Sequence, residues 1–400
     1  MAQTSRAKNG TSSGQVDRIS ALPDGILEHV LGFLPAHEAV QTSLLAPRWR
    51  ELWKSMRRLN ITNSREGFIS NDFIPPLLLL RDPRTTLDEV KFAYSSHFVD
   101  QIDIWIRHTL LCQARVVIVS FPGEFDVTLK NPPLNSRYLK RLELTSVVLE
   151  GDFLNFARCP ALDVLEIKDC GIYPERIVSK SVRHLRIEDT TFYSAVRTRI
   201  SVPSLIWLHL ENVGGKAPLL ESMPSLTTAF LEPAYKGEDY CDKGDSKECC
   251  AICEDCCGRD GQEGRCVLLG GMSNATNLTL LAYPGTFILR RDLRWCPIFC
   301  NLKKLVLNNW CVAIDLRALV CILEHSPVLQ DLTLQLHKGP IHIREMEGNN
   351  SLMEKSASIS KQLKVIKVKC EEVDERVWKI LKFLSMLDIE ITIKRMKNVC

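Results

Sequence analysis

The sequence predicts an α/β chain: a short N-terminal module of three helices, then a solenoid of stacked repeats that each contribute one short parallel strand. Three observations predict it. The stretch LPDGILEHVLGFLP (22–35) is apolar over half a helical cylinder, and PRWRELWKSM (47–56) spaces its apolar residues as a helix does. A six-residue apolar pattern then recurs along most of the remaining chain.

Residues 1–16 are polar and carry no apolar run of the kind a secretory signal needs, so they read as a disordered tail. The helical module covers 17–60. Leu22-Pro23 opens its first helix, because proline is pre-organised for a first turn. At about 100° per residue, Leu22, Phe33, Ile26, Val30, Leu34, Leu27 and Leu31 fill an arc from about 0° to about 180°. A helix covering only its own core needs a stripe somewhat wider than about 100°. The surplus predicts a second apolar neighbour. Pro35 closes this helix, and HEAVQTSLL makes a second helical segment from His37. A third starts at Pro47, with Trp49, Leu52, Trp53 and Met56 on one face and Arg48, Arg50, Lys54, Arg57 and Arg58 around it. Three helices in about 40 residues form too small a core to stand alone, which again predicts a permanent partner.

From 61 to 360 the chain repeats L-x-x-L-x-L. LKRLEL starts at Leu139, LDVLEI at Leu162, VRHLRI at Val182, LIWLHL at Leu205 and LTTAFL at Leu226, so successive copies lie 23, 20, 23 and 21 residues apart. LKKLVL at Leu302 and LQDLTL at Leu329 follow, 27 apart, with weaker copies at Leu87, Ala114, Ala275 and Leu363. The period falls in the roughly 20–29-residue range of the leucine-rich repeat. No single copy can bury its own apolar face, so the copies must stack. Between them, IDIWIRHTLL from Ile102 and LRALVCILEH from Leu316 have helical spacing. Residues 361–400 close the array.

The segment DRISALPDGILEHVLGFLPAHEAVQTSLLAPRWRELWKSM resembles an F-box, especially the plant form that precedes leucine-rich repeats. The match runs through Leu22-Pro23, Ile26-Leu27, Val30-Leu31, Leu34-Pro35, Ala39-Val40, Ser43, Arg48-Trp49-Arg50 and Leu52-Trp53. It departs at Ala46-Pro47, where the family usually has a serine and a basic residue; proline is tolerated at a helix start. The resemblance implies that this module binds a Skp-family adaptor, which joins it to a cullin–RING ubiquitin ligase. The adaptor contacts it implies are Leu22, Pro23, Ile26, Leu27, Val30, Leu31, Leu34, Trp49, Leu52 and Trp53. The repeats would then hold a protein substrate of unknown identity. LRALVCILEHSPVLQDLTL and the C-terminal LKVIKVKCEEVDERVWKILKFLSM resemble the plant F-box/leucine-rich-repeat group that often ends in an FBD-type segment.

Within each strand, alternation sends the last two apolar positions inward and leaves the residues beside them on the concave face. Those are Arg141 and Glu143; Glu166 and Lys168; His184, Arg186 and Glu188; Trp207, His209 and Glu211. Arg141, Glu166, His184, Arg186, Trp207 and His209 are the candidate substrate contacts, with Trp207 foremost because tryptophan on a wet strand face is usually a contact residue.

Seven of the sixteen cysteines lie between Cys241 and Cys266, in an acidic stretch (234–266) that breaks the repeat and reads as an insertion. Cys250-x-x-Cys253 and Cys253-x-x-Cys256 have zinc-ligand spacing, with Cys241, Cys257 and Cys266 available to complete a tetrahedron, Cys266 being the candidate fourth ligand. The pairs overlap at Cys253, unlike two separate knuckles, so a structural zinc loop and a mobile loop of free thiols both stay open. No other cofactor is expected. Glycine-rich phosphate loops and hydrolase, metalloprotease and kinase signatures are absent from the sequence, which predicts a non-catalytic chain. The net charge of +3 and the mixed signs on the strand faces argue against nucleic acid. No run approaches the roughly 18 apolar residues of a membrane span. Reduced cysteines without an export signal predict cytoplasm or nucleus. The rival readings are a leucine-rich-repeat scaffold acting outside a ubiquitin ligase and, on the cysteines alone, a zinc-dependent nucleic-acid binder.

Overall fold

The computed structural model describes residues 19, 21–62, 73–93, 101–121, 123, 127–130, 133–240, 266–312, 316–337, 362–387 and 389–395. The first helix, α1 (Asp24–Leu31), starts directly after Pro23, and α2 (Ala36–Gln41) directly after Pro35. The expected third helix does not form as one piece. It is two 3₁₀ turns, Pro47–Arg50 and Leu52–Ser55, broken at Glu51. Met56, which fits the helical face, instead leads into an extended segment and is buried beneath it.

That segment is the first rung of a parallel ladder. In chain order the rungs are β1 (Arg58–Thr62), β2 (Glu89–Ala93), β3 (Val116–Ser120), β4 (Arg141–Thr145), β5 (Val164–Lys168), β6 (His184–Glu188) and β7 (Trp207–Gly215). They continue as β8 (Thr228–Gly237), β9 (Asn277–Leu280), β10 (Lys304–Asn308), β11 (Asp331–Leu336), β12 (Val365–Cys370) and β13 (Glu390–Arg395). Each pairs in parallel with the next. All eleven copies of the sequence pattern become rungs at the same offset, the strand starting two residues after the motif's first position. The inward residues, from Leu59 and Ile61 through Leu142 and Leu144 to Ile366 and Val368, are fully buried. Burying each such side chain stabilises the fold by roughly 1.5–3 kcal/mol.

Repeat length decides what lies behind each rung. Longer repeats carry helices: α3 (Ile74–Leu79), α4 (Ile102–Leu111), α5 (Phe287–Asp292), α6 (Arg317–Glu324) and α7 (Glu375–Ser385). Helix α4 buries Trp105, which stacks on Phe92 of β2 with ring centroids 6.4 Å apart. Repeats of 20–23 residues have no room for a helix. They close with short extended pieces such as Arg176–Val178 and Arg199–Ser201, paired in their own small sheet. Just after each of β4, β5 and β6, and within β7, one residue turns left-handed: Ser146, Asp169, Asp189 and Asn212, with φ of 47–55°. Asp and Asn tolerate that region, and neighbours bond along the stack, Ser146 Oγ to Asp169 at 2.8 Å and Asn212 Nδ2 to Asp189 at 2.9 Å.

Strand β8 pairs directly with β9, Thr228 opposite Asn277, although 241–265 separates them in sequence. Replacing 241–265 by a short Gly/Ser linker is therefore expected to shift stability by less than about 0.5 kcal/mol. Chemical unfolding of both chains checks this, and a shift of several kcal/mol would show the segment to be part of the core.

Candidate functional site

Two surfaces carry the residues singled out by sequence. The first is helix α1, whose apolar arc divides cleanly in two. Leu22, Phe33, Ile26 and Val30, at about 0° to 80°, are 38%, 60%, 50% and 49% exposed, whereas Leu27 and Leu31 are 1% exposed. Leu34 packs against the core from the boundary between the two halves. The helix thus seals its own module with one edge and offers the other to a neighbour.

This corrects part of the expected contact set. Leu27, Leu31, Trp49, Leu52 and Trp53 are buried in the module and brace it from within. The exposed set is Leu22, Pro23, Ile26 and Val30, to which the structure adds Phe33, Leu44 and Leu45. The adjacent leucines of TSLLAP were the available signal for the last two, and they flank the Pro47 turn. Arg48 of that turn ties it to α1, donating to Asp24 Oδ1 at 2.9 Å through Nε and to the Leu22 carbonyl at 2.6 Å. Arg58 lies over the Phe33 ring, 5.4 Å from its centroid. The exposed strip is thus framed by basic residues.

The second surface is the polar face of the ladder. Register sets its side chains in rows. His184, Trp207 and Thr228 form one row, Arg186, His209 and Phe230 the next, and Glu188, Glu211 and Glu232 a third. Trp207 is half-buried on this face, beside the fully buried Leu208, so the sequence-derived strand register holds there. Its ring stacks on His209 (5.4 Å, 11°), and His209 stacks on Phe230 (4.3 Å, 12°). His209 Nε2 lies 2.7 Å from Glu211 and 3.3 Å from Glu188. Arg141 bridges Glu143 at 2.5 Å and Glu166 at 2.9 Å. His184 stands 3.9 Å from Asp163, apart from this network.

Burial raises the Glu188 carboxyl, but its bond from Arg186 and the charges of Arg186 and Lys168 outweigh it, leaving Glu188 below the usual range. Glu232 goes the other way, raised first by burial and then by Glu211. Glu188, His209 and Glu211 are close enough to share a cation, but Arg186 and Lys168 already supply positive charge to Glu188. Farther along the same face Lys367, Lys369 and Lys394 take the corresponding row positions. The face thus runs from aromatic and acidic to basic. Sequence reasoning missed Phe230 and Glu232, although the alternation in LTTAFLEP points both to this side.

Of the expected zinc ligands, Cys250, Cys253 and Cys256 lie outside the described residues. Cys266 is half-buried and donates to the Trp295 carbonyl at 2.7 Å. Among the described residues no helix is long and apolar enough to cross a membrane.

Fold and surfaces together define the class: an F-box module with an open apolar helix edge, joined through β1 to a leucine-rich-repeat solenoid. Residues 19–60 match the F-box domain family. The chain is similar to an F-box/LRR-repeat protein of Arabidopsis thaliana, 28% identical over 54% of this chain and 58% of the relative. It is similar to the meiotic F-box protein MOF of Oryza sativa subsp. japonica, 26% identical over 86% of this chain and 76% of that one. An F-box/FBD/LRR-repeat protein of Arabidopsis thaliana is 27% identical over 58% of this chain and 50% of its own length. In the two Arabidopsis proteins the match spans between half and three fifths of the relative. The relatives are plant F-box/leucine-rich-repeat proteins, and the sequence resemblance stands.

Proposed function

We propose that the chain is the substrate-recognition subunit of an SCF-type ubiquitin ligase. Its F-box docks a Skp-family adaptor, the adaptor links it to a cullin, and the ladder's polar face holds the protein to be ubiquitinated. The role is non-catalytic and set in cytoplasm or nucleus. One observation carries the reading: Leu22, Ile26, Val30 and Phe33 stay exposed on a helix whose other edge is fully buried. Four neighbouring exposed apolar side chains on a small module mark a protein contact. Co-purification with mass spectrometry tests it. Skp-family and cullin peptides are expected with the intact chain, and their absence would leave a scaffold acting outside a ligase.

On the substrate side, Trp207 is a stacked, half-buried aromatic on the polar face, near the ion pairs Arg141–Glu166 and Arg186–Glu188. Trp207→Ala is expected to weaken capture of a substrate found by co-purification by about 2 kcal/mol, while adaptor binding persists. Unchanged capture, with the chain still folded, would move the substrate site elsewhere on the solenoid.

A further inference from the structure

We propose that Cys296, Cys321 and His325, completed by Cys266, form a zinc site behind β9 and β10. Cys321 lies on α6, and His325 directly follows that helix. Cys296 ends the turn Leu293–Trp295 that α6 packs against. One ligand atom from each of Cys296, Cys321 and His325 lies within 4.8 Å of the other two. Zinc–sulfur bonds of about 2.3 Å at tetrahedral angles place sulfurs about 3.8 Å apart, so small side-chain rotations bring Cys296, Cys321 and His325 onto one ion.

Cys266 and Cys321 both reach the turn that Cys296 ends. Cys266 Sγ is 2.7 Å from the Trp295 carbonyl and 3.5 Å from that of Asp292, while Cys321 Sγ faces the Leu293 carbonyl at 3.6 Å. Thiols from two different repeats therefore converge on one short turn. His325 Nδ1 lies 2.8 Å from the Cys321 carbonyl. Nδ1 also lies 4.0 Å from Cys321 Sγ; with Nδ1 donating to the carbonyl, Nε2 keeps the lone pair for a metal, and with Nδ1 turned to the ion, Nε2 carries the proton. Thiolates with imidazole select zinc over magnesium or calcium. Binding moves the thiol protons to solvent and changes no oxidation state.

All four side chains are half-buried, accessible to an ion yet shielded. They are far in sequence from α1, and none sits on the ladder's polar face, so the site is structural: it staples the segment ahead of β9 to the repeat behind it. This ligand set takes only Cys266 from the one expected within the insertion, and the two assignments predict different outcomes.

The full chain, purified under reductant without chelator and given zinc sulfate, is expected to retain about one zinc after gel filtration, read by atomic emission. A C250S/C253S/C256S chain is expected to keep that zinc. C296S and H325A are expected to lose it, with circular dichroism confirming that they fold. Because C296S can fail to fold, the triple variant is also loaded with cobalt(II), which is expected to show a thiolate-to-cobalt charge-transfer band. Absence of zinc from the full chain overturns the proposal. So does zinc that leaves with the triple variant, or a triple variant without the cobalt band.

Discussion

Glutamate at both Ile26 and Val30 is expected to cut capture of a Skp-family adaptor by about a hundredfold or more, while the unfolding transition stays where it was. Both side chains are about half exposed, so the folded chain loses little packing when they change. An apolar partner surface loses more. It must bury two carboxylates without a partner charge, and an unpaired buried charge costs several kcal/mol. Every 1.4 kcal/mol is tenfold in affinity. The Arg48 bonds to Asp24 and Leu22 that orient α1 are untouched by either substitution. Trp53→Ala is the instructive contrast. Trp53 is buried, and truncating a buried tryptophan costs roughly 3–5 kcal/mol. That variant loses the adaptor because the module melts. A pull-down read beside a thermal melt separates the two, and an I26E/V30E chain that captures adaptor at the original level would leave the apolar edge without a function.

That contrast shows what periodicity along one helix can and cannot reveal. Spacing places seven apolar residues on half of a cylinder through 22–34, but the half facing the core depends on where the 3₁₀ turns and β1 pack, which is tertiary information. Met56 failed for a related reason. It stands at i+7 from Trp49 and equally at the head of Met56-x-x-Leu59-x-Ile61, a copy of the repeat pattern. The sequence permits both, and tertiary packing favoured the strand. At the far end β13 escaped notice because Asp388 occupies the motif's first apolar position. Elsewhere the pattern was legible, since each rung needs the same two inward residues whatever the neighbouring segments do. The polar face was legible for the same reason, and Trp207 lies where alternation puts it. The thiols of Cys296 and Cys321 were not. They belong to two repeats and follow no motif, and only the packing of α6 on the preceding turn brings them together.

Asp292→Ala is expected to destabilise the chain by about 4 kcal/mol, an effect out of proportion to one small side chain. Asp292 closes α5 and is completely buried. Its carboxylate accepts from the backbone N–H of Val267 at 2.8 Å, Leu268 at 2.6 Å and Leu269 at 2.9 Å. Arg291, also buried, donates to it at 2.9 Å and lies over the Trp295 ring. Those three amides lie in the segment ahead of β9, where Leu220 N–H bonds the Val267 carbonyl at 2.8 Å. Alanine removes the acceptor while every donor stays buried. An unsatisfied buried group costs about 1–3 kcal/mol, and a buried charge stripped of its partner about 3–5 kcal/mol. Asn is the milder test. It keeps one acceptor oxygen and the shape, so Asp292→Asn should cost about half as much, with the Arg291 charge left uncompensated. Chemical unfolding orders the three chains, and hydrogen exchange locates the damage. Protection at the Val267–Leu269 amides should fall in both variants, and most in the alanine chain. Stabilities within about 0.5 kcal/mol of one another would mean that this segment is held by Val267, Leu268 and Leu269 packing alone. The apolar contacts would then be sufficient, and the carboxylate a passenger in its own hydrogen-bond network.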